Sequence, residues 1–267
     1  MKLLIMHLLA KRFKKRLIQF VSVILFSIIT YASAISCGFN LQSLRNGIVD
    51  GSLFFINFFP PDWSVFGEML MAAIQSIVIA FLGTMIGLFF SIIIAFLAAS
   101  NISNKWIRNS ARFIIGIERS IPEILLLLIL VSAYGLGVLS GVFALALGCV
   151  GMLGKLLADS IEEIDSVTLE AIQSVGANKF QVIWFGIIPL LKYRILNYTL
   201  FRFEWNIRLS VILGAIGAGG IGYELDFAFN MLQYHRAGAA FVVIVLMVLV
   251  IEQLSEFIRH QFNIQTA

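Results

Sequence analysis

Charge is what this chain has least of. Only 13% of its 267 residues are Asp, Glu, Lys or Arg, where a soluble domain carries roughly 25%. Residues 17–44, 69–104 and 124–154 contain none at all. A bilayer-spanning helix needs about 20 predominantly apolar residues, and each of these runs reaches that length. The runs are continuous rather than alternating, so helices and not barrel strands satisfy their backbone in hydrocarbon. The expected class is an all-α membrane protein.

Cysteine and histidine are scarce too. Cys37 and Cys149 fall at the end of one apolar run and inside another, which gives neither a disulfide framework nor a metal spacing. His7, His235 and His260 are scattered. No nucleophile–base pair and no metal set emerges, so no catalytic residue is assigned and a membrane-embedded hydrolase is not favoured. GxxxxGK[ST] is absent, so any ATP must be bound by another chain. The run Gly217 to Gly222 formally satisfies GxGxxG, but it follows a membrane span and not a strand. Close packing or a flexible turn explains it better than a dinucleotide. No nucleic-acid partner is expected.

The apolar runs predict about six spans. Lys11, Arg12, Lys14, Lys15 and Arg16 precede the first, at 17–36, and the positive-inside rule keeps residues 1–16 cytoplasmic. The same cluster could open a cleaved signal, but the apolar stretch exceeds the usual signal core, so an uncleaved span is expected. Residues 37–68 carry Phe54, Phe55, Phe58, Phe59 and Trp63, with Pro60-Pro61 stopping any helix there. They read as an extracytoplasmic segment on the outer interface, or as a plain packing loop. Further spans are expected within 69–100, from about Ile121 to the glycines of "YGLGVLSG", at 141–158, 195–216 and 238–258. The basic loop "NISNKWIRNSAR" lies between the first two of these. Gly148, Gly151 and Gly154 would admit a neighbouring helix closely. Six spans place both termini, and residues 159–189, in the cytoplasm. The core is then 69–267.

Between two spans stands an amphipathic stretch, "TLEAIQSVGANKFQVIWFGIIP", at 168–189. Asp165 or Ser166 can cap a helix carrying Leu169, Ile172 and Val175 at three-residue spacing. Gly176 breaks it. Asn178 can cap a second helix with an apolar stripe of Phe180, Ile183, Trp184 and Ile187, and Pro189 opens the next span. A lipid-lying helix would want a lysine-rich polar face. This one has Glu170 and one lysine, preceded by Asp159, Glu162, Glu163 and Asp165, so a protein partner is favoured over lipid.

These residues resemble the "EAA" loop of ABC importer permeases: Glu170, Ala171, Gly176 and Pro189 stand at the pattern's places. Ile172 replaces its second alanine and Gly186 its isoleucine, the latter loosening the second helix. "FFPPDWS", "ERSIPE" (118–123), "GVFALALGCVGMLGKLLADSIEEID" (141–165), "FRFEWNIR" (201–208) and "GAIGAGGIGYEL" (214–225) resemble the phosphonate branch of that family. The resemblance covers about residues 50–260. It implies the type I importer permease fold in a bacterial inner membrane and a homodimer of this chain. Two ATP-binding subunits holding ATP and Mg would sit below, and a periplasmic phosphonate-binding protein above. Glu170, Ala171, Gly176, Asn178 and Pro189 would couple the permease to the ATPase.

Ionisable residues in spans read as functional because they are expensive in hydrocarbon. Glu204 and Arg208 sit four apart with the acid first, the favourable order for a helical pair. Arg202 lies nearly opposite, leaving one arginine free for an anionic cargo. Either Arg202 or Arg208 lines the path, or the ions only fix packing. Glu118, Arg119 and Glu123 form a gate at the cytoplasmic mouth of the third span, or mark its water boundary. The competing class, a secondary transporter or channel without an ATPase, predicts inverted repeats, and none is visible.

Overall fold

A computed structural model of the chain describes residues 2–174 and 176–262, and among these it contains helices and no strand. The chain divides into two compact units, one ending at Asn57 and the other starting at Phe58.

The first unit holds α1 (Lys2–Ser36) and α2 (Leu41–Ile56). The expected first span lies inside α1, whose Lys14–Ser36 portion is long and apolar enough to cross a bilayer. Gly38, at φ +69°, ends the connection, and Asn40 Oδ1 accepts the Ser43 N–H at 2.7 Å to cap α2. α2 lies within the stretch expected to be an amphipathic extracytoplasmic segment, and its sixteen residues end before the Pro60-Pro61 stop.

The second unit opens with Phe58. Of the aromatic residues expected at the outer interface, Phe58 is instead buried beside Ala228 and Ala237, while Phe59 and Trp63 are exposed. Then follow α3 (Phe66–Ala98), α4 (Lys105–Ser120), α5 (Glu123–Tyr134), α6 (Val138–Glu162), α7 (Ser166–Ser174), α8 (Lys179–Gln181), α9 (Ile188–Leu213), α10 (Ile221–Asn230) and α11 (Tyr234–Gln261).

The α3–α6 pair is the spine of the fold. α3 turns a seam of small residues inward, among them Ala73, Ser76, Ala80, Gly83, Thr84, Gly87, Ser91 and Ala95. Small residues let helix backbones approach where no hydrophobic force draws them together in lipid. Thr84 and Ser91 return their hydroxyls to Ala80 O (2.7 Å) and Gly87 O (2.6 Å), so the seam stays satisfied without water.

Among the described residues four helices qualify individually as spans, and a fifth if the α9 and α10 helices, bent by 54° at Gly219–Gly220, are one. The expected third span is not among them. Its helix α5 has only 12 residues, and two-thirds of the expected basic loop, 105–112, is helical as part of α4. The break falls at Pro122, which has no N–H to continue α4 and sits at the N-cap of α5. The broken pair runs antiparallel along α6: Ser140 meets Leu130 O at 3.5 Å, Gly148 faces Glu123, Gly151 faces Glu118, Gly154 faces Ile115, and Arg112 reaches Glu162.

The glycine run at 217–222 is close packing. Gly217 O accepts the Gly137 N–H (2.8 Å), while the Gly220 and Ile221 N–H groups donate to Gln75 Oε1 (3.1 Å) and Ser76 Oγ (3.0 Å). Gly219 and Gly220 take φ of +85° and +75°, open to glycine at little cost.

Candidate functional site

Two constellations gather the polar residues of the second unit. One lies where α3 and α6 end, the other half-way along α6.

At the first, Asp165 Oδ1 accepts the Val167 N–H (3.0 Å) and starts α7. Leu169 is buried against an apolar cluster that includes Ala98, Leu157, Ile161, Val182 and Ile187, and Ile172 packs on it. Val175 lies outside the described residues. Gly176 takes φ +85° and α7 ends there. Asn178 then forms a capping box: its Oδ1 accepts the Gln181 N–H (2.9 Å), and Gln181 Oε1 accepts the Asn178 N–H (2.8 Å). Asn178→Ala should cost about 1 kcal/mol locally, and hydrogen exchange at the Gln181 amide should quicken about fivefold. Pro189 occupies the first turn of α9.

Two expectations at this elbow need correction. Gly186 does not loosen it: a Cβ there would stand 2.7 Å from Ile172 Cδ1, so glycine lets α7 seat on the next segment. The stripe of Phe180, Ile183, Trp184 and Ile187 does not form one inner face. A π-helical turn over Val182–Ile187 shifts the register, burying Val182, Gly186 and Ile187. Phe180 and Trp184 are turned out, 71% and 56% exposed, and their rings stack at 6.2 Å. The exposed residues of the elbow thus include this aromatic pair as well as Glu170 and Ala171.

The second constellation is at the α4–α5 break. α6 spans 25 residues, ~37 Å at 1.5 Å each. Gly148 and Gly151 flank its midpoint. "ERSIPE" thus lies against the middle of α6, with Pro122 at the break between α4 and α5. These two glycines do not admit a helix backbone. A Cβ at 148 would meet Arg202 Nη2 and Glu123 Cγ at 2.8 Å, and one at 151 would overlap the Glu118 carboxylate. They make room for charged side chains. Gly154 likewise faces side chains, Ile94 of α3 and Ile115 of α4.

Arg202, on α9, is 2% exposed. Its Nη2 donates to Glu123 Oε1 at 3.3 Å, Nε to Cys149 Sγ at 3.3 Å, and Nη1 to Met152 Sδ at 3.4 Å. Asn206 Nδ2 donates to the same Cys149 sulfur (3.2 Å) and to Thr84 Oγ1 (2.9 Å). Arg202 is therefore not the unpaired arginine expected of "FRFEWNIR". The Glu204–Arg208 helical pair is not formed either. Glu204 pairs with Arg259 and Arg208 with Glu252 (3.3 Å), so both reach across to α11, where partners lie closer than along their own helix. Glu118, Arg119, Glu123 and Arg202 line one cavity of about 390 Å³, from which Glu204 and Arg208 are excluded.

Sequence reading missed the Glu123–Arg202 pairing, Cys149 as an acceptor and the Asn206–Thr84 bond. A signal existed: glycines at 148 and 151 in an apolar run imply something bulky opposite, and the uncommon charges of "ERSIPE" were candidates.

With this geometry in view, residues 87–263 match the family described as binding-protein-dependent transport system inner membrane component. The chain is 35% identical over 205 residues to the phosphite transport system permease protein PtxC of Stutzerimonas stutzeri, covering 76% of this chain and 74% of that one. It is 38% identical over 207 residues to the phosphate-import permease protein PhnE of Mycolicibacterium smegmatis, covering 77% of this chain and 39% of that longer protein. Among solved structures it resembles a chain of the MetNI methionine ABC transporter in an inward-facing conformation, with 19% identity, TM-score 0.62, and coverage of 72% and 95%. It also resembles a chain of a bacterial ABC transporter importing the acidic polysaccharide alginate, with 15% identity, TM-score 0.59, and coverage of 88% and 99%. At those identities the structural likeness establishes the fold alone. Taken with the family match, it makes the fold that of the type I importer permeases, and the chain belongs to the family of binding-protein-dependent transport system inner membrane components, the permease subunits of ABC importers.

Proposed function

We propose that two copies of this chain form the translocation path of an importer for phosphonates or a related small phosphorus oxyanion. A periplasmic binding protein delivers the cargo, and two separate ATP-binding subunits, holding ATP and Mg, drive alternating access from the cytoplasmic face of a bacterial inner membrane. In this reading residues 1–16 and both termini are cytoplasmic, 37–68 is extracytoplasmic, and the chain catalyses no reaction itself.

The elbow carries the proposal. It is a short, doubly capped element packed on the bundle's end, with an aromatic pair and a carboxylate facing outward. An exposed stacked Phe180–Trp184 pair has no reason to face water unless another surface covers it. A groove on the ATPase fits that need, and Glu170, Ala171 and Gly176 receive its push. The cargo class is supported by the names of the two relatives and by the buried arginine beside the middle of α6, since guanidinium suits phosphorus oxyanions.

The test is ATPase activity of the complex in lipid, with the binding protein loaded or empty, for the wild type and Glu170→Ala. Stimulation by the loaded binding protein that drops at least tenfold in the variant is the expected result. Absence of any associated ATPase would return the elbow to the membrane surface and favour a secondary transporter or channel.

A further inference from the structure

The cavity at the α4–α5 break contains an arginine that is deeply buried and poorly served. A guanidinium offers five N–H donors. The nitrogens of Arg202 reach one carboxylate oxygen and two sulfur atoms, all between 3.3 and 3.4 Å. Charge-assisted N–H···O bonds ordinarily close to about 2.7–2.9 Å and are often bidentate. A pair that exists to fix packing would be short and forked. This one is long and single.

Charge arithmetic narrows the role. Glu118, Glu123, Arg119 and Arg202 bring two formal negative and two formal positive charges to one cavity. An anion entering this balanced site lacks a cation unless one carboxylate moves aside. Glu118 is held against Gly151, with its Oε2 buried and without a hydrogen-bond partner. Glu123 is freer. Its side chain is 31% exposed and makes one contact, and it is the first residue of α5, directly after the Pro122 break. No side chain caps that first turn, so its positive end also faces incoming negative charge.

We infer that this cavity is a transit site for a small phosphorus oxyanion, in which Glu123 is the internal anion resting on Arg202 and the cargo binds by displacing it. The inference rests on the importer reading for its cargo class. Arg119 forms no ion pair among the described residues, and it lines both this cavity and a second one of about 160 Å³ shared with Arg112, Lys155 and Asp159, where Lys155 pairs with Asp159 and Arg112 with Glu162. The second cavity lies on the side of the elbow, so Arg119 is placed to take the anion onward from Arg202. Glu123 keeps Arg202 neutralised while the site is empty, which spares the bundle an isolated buried charge.

The measurement is equilibrium binding of methylphosphonate to the full complex in nanodiscs, without the binding protein. Glu123→Gln should bind at least tenfold tighter than the wild type, because the competitor is gone. Arg202→Gln should bind at least tenfold more weakly than the wild type. Equal or weaker binding by Glu123→Gln, accompanied by a lower melting temperature, would make the pair structural and overturn the inference. Should Glu123→Gln fail to assemble, Glu123→Asp keeps the charge on a shorter arm and should gain about threefold, and no gain there overturns the inference equally. The two readings fail separately. Binding gains without any stimulated ATPase leave the site and remove the importer, while stimulated ATPase with flat binding does the reverse.

Discussion

Arg202→Met should lower uptake roughly a hundredfold while the complex still assembles. The substitution keeps a long side chain between Cys149 and Met152 and removes the charge that faces the cavity. Hydrogen bonds to charged groups contribute about 1.5–3 kcal/mol each, so losing one or two to an oxyanion in transit gives that factor. Removing one partner of a fully buried ion pair commonly costs about 3–5 kcal/mol, but Glu123 is 31% exposed and can turn into the cavity. Its stability cost should therefore fall below that range. Uptake of labelled methylphosphonate into vesicles, set beside the yield of intact complex, separates the two effects. Wild-type uptake would remove Arg202 from the path, and lost assembly would make it a packing residue.

A large effect on stability should come from a single methyl group between α3 and α6. A Cβ at Gly87 would stand 2.3 Å from Cys149 Cβ and 2.7 Å from Ala146 O. Neither neighbour is the far end of a flexible side chain, so α3 and α6 must separate. Overpacking of this kind costs about 1–3 kcal/mol, and Gly87→Ala should sit at the upper end because backbone is one of the clashing partners. Its apparent melting temperature in detergent should fall well below wild type. Gly67→Ala makes the same chemical change in the first turn of the same helix, where nothing lies within 4 Å, and should not destabilise. Equal melting temperatures for the two variants would show that the seam yields more easily than its atoms suggest.

The helical membrane class was legible because a run without charge has few alternatives, and the elbow because a polar interruption between two such runs is locally odd. Its caps were legible too, since Asp165 and Asn178 act on amides two or three residues away. What escaped were relations between distant segments. Pro122 reads equally as a kink or as the edge of a span until α6 supplies a ruler beside it. Glu204 and Arg208 look like mutual partners because spacing along one helix is visible in a sequence and the approach of α11 is not. Phe180 and Trp184 were grouped with Ile183 and Ile187 in one stripe on a 3.6-residue period that the π-helical turn does not keep. Gly186 seemed a weakness because its neighbour, Ile172, lies fourteen positions earlier.

α9 carries more than its arginine. It is a helix of 26 residues, ~39 Å long, with the elbow at one tip and the glycine turn at the other. Asn206 pins it by hydrogen bonds to Thr84 on α3 and Cys149 on α6, beyond its midpoint toward the glycine turn. A helix held that way has unequal arms: about 18 residues, or ~27 Å, on the elbow side and about 7 residues, or ~10 Å, on the other. A tilt of about 10° about this fulcrum swings the elbow tip by ~5 Å and Arg202, one turn from the pivot, by ~1 Å. On the proposed importer reading, a broad stroke at the membrane surface would be geared down to an ångström adjustment where Arg202 meets Glu123 at 3.3 Å.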